Sequence, residues 1–154
     1  MLFKSVTTLF LAALAFGSGA AAWKKNATSP VTYYGTQGPL FTSGTSTNSG
    51  ILFTSGTAGS LNGSIVTGGI ANETRQVLTN IGNILEEAGT SWEYALKVTI
   101  LLANISDYAA MNTVYRDFLP SPKPARTAVQ VGELPGDFLI EVEAVVAIPE
   151  KKCA

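Results

Sequence analysis

Apolar side chains recur at three- and four-residue steps from Ile70 through Val77, Leu78, Ile81, Ile84 and Leu85 to Ala88, and Gly89 follows. That period predicts an amphipathic helix over 70–88 with one buried face and a glycine stop. Next, Leu96, Val98, Ile100 and Leu102 alternate with Lys97, Thr99 and Leu101, the pattern of a strand with one strongly apolar face. Ser106 or Asp107 can cap a second helix, whose core stripe is Tyr108, Met111, Val114, Tyr115 and Phe118 and which Pro120 and Pro122 end. Asn112 lies beside that stripe, four residues after Tyr108 and three before Tyr115, so its amide stands at the margin of the buried surface.

The stretch ahead of the first helix is rich in Gly, Ser and Thr and holds a near-repeat, Phe41-Thr42-Ser43-Gly44-Thr45 and Phe53-Thr54-Ser55-Gly56-Thr57, with Asn48-Ser49-Gly50 between. Two short strands joined as a hairpin are the economical interpretation. After the second helix come two more strand-like runs, 126–131 and 138–147, around Leu134-Pro135-Gly136-Asp137. A type II turn at Pro135-Gly136 predicts that these two strands pair with each other. The order β-β-α-β-α-β-β describes an α+β domain, a mixed β-sheet with two helices packed on one face. Its other face needs cover, expected from further subunits.

The apolar run from Val6 to Phe16 follows Lys4 and leads into Gly17-Ser18-Gly19-Ala20-Ala21-Ala22. It reads as a secretory signal peptide over 1–22, too short for a membrane anchor, so no membrane association is expected once it is removed. An N-terminal extension over 23–37, a domain over 38–148 and a C-terminal tail over 149–154 complete the expected division. Sequons at Asn26, Asn62, Asn72 and Asn104 fit passage through a secretory lumen and possible N-glycosylation there. The one cysteine, Cys153, permits no intrachain disulfide framework.

Removing Lys4 with the leader leaves nine basic and eleven acidic side chains. No basic cluster extends beyond Lys24-Lys25 and Lys151-Lys152, so a nucleic-acid partner is not expected. The chain has no histidine, which excludes a Ser-His-Asp triad, a Cys-His pair, His-ligated zinc and His-based ribonuclease chemistry.

What remains chemically is one arginine and two acids in apolar strands: Arg126, Glu141 and Glu143. A guanidinium stays ionised and presents a planar fork matched to a carboxylate, while a shielded acid can orient or activate water. In the expected hairpin Arg126, Ala128 and Gln130 face Val145, Glu143 and Glu141, and Arg126 is about 13 Å along the strand from the position opposite Glu141. Alternatives stay open. Arg126 can form a structural ion pair with Glu143 or with another subunit's carboxylate, and acids at alternate positions often mark only the wet face of a strand.

Phe53-Thr54-Ser55-Gly56, Gly68-Gly69-Ile70, Thr74-Arg75-Gln76-Val77-Leu78-Thr79-Asn80-Ile81, Leu85-Glu86-Glu87-Ala88-Gly89, Met111-Asn112-Thr113-Val114-Tyr115, Pro124-Ala125-Arg126 and Ile140-Glu141-Val142-Glu143-Ala144 follow one another in an order and spacing that resembles the RidA (YjgF-like) family of enamine/imine deaminases. The resemblance spans roughly 38–148. It implies a chorismate-mutase-like homotrimer with clefts between subunits for small carboxylates. It also implies hydrolysis of an enamine or imine such as 2-aminoacrylate to a 2-keto acid and ammonia, with no cofactor and no metal. On that resemblance Arg126 grips the substrate carboxylate and Glu141 positions or activates water. Ser55 and Asn112 line the cleft, and the backbone at Gly56 and Ala128 supplies donors. Where many members have Gly-Pro-Tyr this chain has Gly38-Pro39-Leu40, so that hydroxyl is missing unless Tyr33 or Tyr34 replaces it. Ala128 stands where cysteine is common, and Thr57 where glutamine is frequent.

A secreted imine deaminase is therefore the leading expectation. A noncatalytic small-carboxylate-binding protein or effector on the same scaffold is the runner-up. A tailoring step in specialised metabolism is also open, and ribonuclease activity is disfavoured by the charge balance and the missing histidines.

Overall fold

A computed structural model describes residues 29–150. The expected leader, the Asn26 sequon and Cys153 lie outside the described residues. The described chain runs β1 (Val31–Gln37), β2 (Thr42–Thr47), β3 (Ile51–Thr54), β4 (Thr57–Ala58), β5 (Ser60–Leu61), β6 (Ser64–Ile65), α1 (Gly69–Glu87), β7 (Ala95–Leu102), α2 (Tyr108–Phe118), β8 (Ala125–Gln130) and β9 (Ile140–Ala147). Seven strands form one mixed sheet in the order β1-β2-β3-β9-β7-β8, with β4 also paired to β9, and β5 and β6 form a separate ribbon. Both helices pack on one face, giving the α+β architecture.

The anticipated hairpin is β2–β3, with Thr45 opposite Phe53. Residues 31–37, expected in an extension ahead of the domain, instead form β1, which pairs antiparallel with β2 and puts Tyr33 opposite Thr45. Helix α1 follows its period: Val77, Leu78, Ile81 and Leu85 are fully buried. Each such side chain contributes about 1.5–3 kcal/mol of transfer free energy. They meet Val98, Ile100 and Leu102 of β7 and Ile140, Val142, Ala144 and Val146 of β9 in one apolar core. Buried Glu73 joins the layers, since one carboxylate oxygen accepts the Leu139 N–H at 2.9 Å.

The expected pairing of the last two strands is not what forms. Strand β7 lies between them, parallel to β8 and antiparallel to β9. The chain leaves β7, crosses over through α2 and returns as β8, which is the connection a parallel neighbour requires. Arg126 therefore stands beside Val98, and Glu141 beside Leu101. A register irregularity between Ala95 and Lys97 takes Leu96 off the apolar face, leaving it 49% exposed.

Candidate active site

Alternation along the strands decides which side each candidate faces. Val98, Ile100 and Leu102 point to the helices, so their β8 partners Arg126, Ala128 and Gln130 share that face. Ile140, Val142 and Ala144 do the same in β9, which sends Glu141 and Glu143 to the opposite face. Within one chain, then, Arg126 and Glu141 lie on opposite faces of the sheet and do not share a cleft. Glu143 sits level with Thr99 on that far face, which removes the anticipated ion pair with Arg126.

Half-buried Arg126 is held by α2. Its Nη1 donates to Asn112 Oδ1 at 2.6 Å and its Nη2 to the Tyr108 hydroxyl at 3.1 Å. The guanidinium carbon lies 4.8 Å from the Tyr115 ring centroid and 5.7 Å from that of Tyr108, within cation–π range. Every one of these partners is neutral. Among the described residues the one ion pair joins Arg116 and Asp117, so the charge of Arg126 is unmatched by a carboxylate. Asn112, Tyr115, Arg116, Lys123, Pro124 and Arg126 line a cleft of about 360 Å³. Lys123 donates to the carbonyls of Arg116 and Leu119, closing the C-terminal end of α2. The Tyr115 hydroxyl is buried without a hydrogen-bond partner among the described residues. Burial pushes its pKa up from 10.0, and the nearby Arg126 charge offsets part of that rise.

A second cleft, of about 500 Å³, is lined by Phe41, Ser55, Gly56, Ala58, Pro135, Phe138 and Glu141. Glu141 is half-buried and pairs in register with Ala58 of β4. The lack of a side chain at Gly56 leaves the carboxylate its place, because a Cβ at that position would lie 2.0 Å from Glu141 Oε1. The Ser55 hydroxyl lines this cleft but is committed to the backbone, donating to Thr42 O at 2.6 Å. Ala128 packs against the core from β8 and lines neither cleft. Within one chain neither Tyr33 nor Tyr34, considered as replacements for the missing family hydroxyl, bonds Arg126. Tyr34 is paired with the Ser46 hydroxyl at 3.1 Å, and Tyr33 belongs to the open face with Thr45 and Phe53. Among the described residues no group of three or more His, Cys, Asp or Glu could hold a metal ion.

The sequence-expected residues thus separate into two half-sites, Asn112 with Arg126 and Ser55 and Gly56 with Glu141. Sequence reasoning assigned Tyr108 and Tyr115 to the core and missed their contacts with Arg126. Their spacing of four and three residues about Asn112 was the available signal, since it puts all three on one face of α2.

Residues 39–148 match the family described as Endoribonuclease L-PSP. The chain belongs to this family, also known as RidA, YjgF or RutC. A RutC family protein of Pyrococcus horikoshii is 52% identical over 83 residues, 54% of this chain and 66% of that protein. The human 2-iminobutanoate/2-iminopropanoate deaminase is 45% identical over 83 residues, 54% of this chain and 61% of the relative. The matched stretch therefore spans just under two thirds of these relatives' length. The mitochondrial protein mmf2 of Schizosaccharomyces pombe is 43% identical over 101 residues, covering 64% of this chain and 80% of mmf2. Among solved structures of the family, yeast Mmf1 superposes with a TM-score of 0.74 at 27% identity, covering 77% of this chain and 99% of Mmf1. Escherichia coli TdcF with bound serine gives 0.67 at 30% identity over 75% of this chain and 92% of TdcF.

Proposed function

We propose that this protein hydrolyses reactive imines and enamines of the 2-aminoacrylate type to 2-keto acids and ammonia. The observation that carries the reading is the guanidinium of Arg126, fixed by neutral side chains beside a cleft and, among the described residues, left without a counter-charge. The family's deaminase members and the serine held by TdcF support a small carboxylate bearing a nitrogen as its partner. Because Arg126 and Glu141 face opposite ways in one chain, the complete site forms between copies of a homotrimer. Arg126 from one subunit then meets Glu141, Ser55 and Gly56 of the next.

In that site Arg126 anchors the substrate carboxylate and so fixes the position of the C=N carbon. Glu141 takes a proton from water as the water oxygen bonds to the C=N carbon of the protonated imine, and the C=N electron pair moves to nitrogen, giving a carbinolamine. Glu141 then returns this proton to the amine nitrogen and takes the hydroxyl proton as the C–N bond breaks, which releases ammonia and leaves the keto oxygen.

The test is keto-acid and ammonia release from an imine generated in situ, for the unsubstituted protein, Arg126→Ala and Glu141→Ala. Both variants are expected to be inactive alone. Mixed and reassembled, they should regain about a quarter of the sites, the random share in which an intact arginine faces an intact glutamate. Equal rates in all three proteins remove the site, and no recovery on mixing removes its division between subunits.

A binding role without turnover is favoured by Leu40, which is 91% exposed where many members carry a tyrosine. Saturable carboxylate binding with no ammonia release selects it over catalysis.

The leader over 1–22 is the basis for proposing a secretory-lumen location. On that proposal Asn62 is the sequon suited to carry a glycan. It is exposed at the tip of the β5–β6 ribbon with φ 53°, and Gly63 follows. Asn72 instead donates its amide to Thr67 O at 2.8 Å, and the Thr74 hydroxyl of the same sequon is buried on Ile70 O at 2.6 Å. The Asn104 side-chain Oδ1 accepts the Ser106 N–H at 2.9 Å. Endoglycosidase treatment of secreted protein should shift its mass, and Asn62→Gln should reduce that shift by one glycan.

A further inference from the structure

Three side chains of α2 converge on one guanidinium, at the spacing that places Tyr108, Asn112 and Tyr115 on a single helix face. Their contributions differ. Tyr115 lies under the guanidinium plane and offers it a ring face, with its hydroxyl turned into the core. Asn112 and Tyr108 take one N–H each from the two terminal nitrogens. A guanidinium restrained at one nitrogen still pivots about that contact, whereas restraint at both nitrogens fixes the orientation of the fork. A two-point carboxylate contact depends on that orientation.

Tyr108 is placed to be the second restraint. It is the first residue of α2 and is 39% exposed, so it does not serve the core that its position in the apolar stripe suggests. A guanidinium has donors only, so the phenol oxygen must accept the Arg126 Nη2 hydrogen. The remaining described tyrosines near the sheet are otherwise placed, Tyr34 on Ser46 and Tyr33 on the far face.

We infer that Tyr108 is a positioning residue for carboxylate recognition: its hydroxyl, with the Asn112 carbonyl, sets the Arg126 fork in the orientation that receives the ligand's carboxylate. This rests on the reading of the Arg126 cleft as a carboxylate site. It predicts a contribution from the hydroxyl separate from that of the ring.

Tyr108→Phe keeps the ring over Arg126 and removes only the acceptor. In full-length protein, calorimetric titration with pyruvate should show affinity about tenfold weaker in Tyr108→Phe, the worth of one hydrogen bond to a charged group. The KM for 2-iminopropanoate generated in situ should rise by the same factor with kcat within about twofold, because the anchor acts alike on ground and transition states. Binding of neutral pyruvamide should not change, which a general loosening of α2 would not produce. Native pyruvate affinity in Tyr108→Phe overturns the inference, as does a fall in kcat at constant KM. If the unsubstituted protein binds pyruvate but releases no ammonia, the deaminase reading fails while a tenfold loss in Tyr108→Phe still supports the anchor. Absence of pyruvate binding by the unsubstituted protein overturns both.

Discussion

Arg126 stands in a cleft already furnished with side-chain partners, whereas Glu141 stands in one where the backbone of Gly56 approaches it and no ion pair reaches it among the described residues. The difference follows from the sheet's two faces. On the helix side α2 supplies an amide and two phenol rings to hold one charge in place. On the other side no helix packs among the described residues, and the acid is positioned by its strand and by the absence of a side chain at Gly56. On the proposed function, a fixed Arg126 and an accessible Glu141 suit a division of labour in which one group holds a ligand and the other moves a proton.

The largest effect is expected where the weaker of these supports is removed. Gly56→Ala puts a Cβ 2.0 Å from Glu141 Oε1 and 2.8 Å from its Cδ, so the carboxylate must shift. Displacement of a catalytic group by about an ångström costs roughly a hundredfold in rate. Gly56 is exposed and its backbone needs no left-handed conformation, so Tm should stay nearly constant. A steady-state assay paired with a thermal melt decides the matter. A Gly56→Ala protein with native kcat would mean that the second cleft is not where water is activated.

On the helix side the informative change restores what the cleft lacks. Asn112→Asp gives Arg126 an intramolecular carboxylate on the contact now 2.6 Å long. The guanidinium then has its counter-charge before any ligand arrives, and carboxylate affinity should fall about tenfold or more. Pyruvate titration measures this. Unchanged affinity would place the ligand's anion away from Arg126.

Helix α1 and strand β7 were legible in the sequence because their signals are local: a 3.6-residue period in one, alternation in the other. The acids at alternate positions of the apolar run 138–147 likewise marked a strand, which is β9. Alternation could not say which strand lies beside β9, because a pattern of buried positions defines a face and not a neighbour. Pro135-Gly136 suggested β8, and the chain instead places β7 there by crossing over through α2. That one insertion separates Arg126 from Glu141. Arg126, Asn112 and Glu141 stood out as polar groups in apolar runs, whereas Tyr108 and Tyr115 were hidden by their aromatic bulk. A phenol at a stripe position reads as core until its polar end is seen to serve a neighbour.

The smallest predicted effect separates the two tyrosines that share Arg126. Tyr108 turns its hydroxyl to the guanidinium, but the Tyr115 hydroxyl is buried with no partner among the described residues, a condition that costs about 1 kcal/mol or more. Tyr115→Phe keeps the ring beneath Arg126, removes the unpartnered group and should stabilise the protein by about 1 kcal/mol. The gain should also depend on pH. Burial raises the Tyr115 pKa above its ordinary 10.0, so the folded chain holds this proton more tightly than the unfolded one. Its contribution to stability is fully present below 10.0 and is lost as pH rises through the higher folded value. Tyr115→Phe lacks that loss, so its advantage in denaturant titrations should widen in strong alkali. An advantage of constant size across that range would mean that the phenol ionises alike in both states, and that the cleft around Arg126 admits more water than its geometry shows.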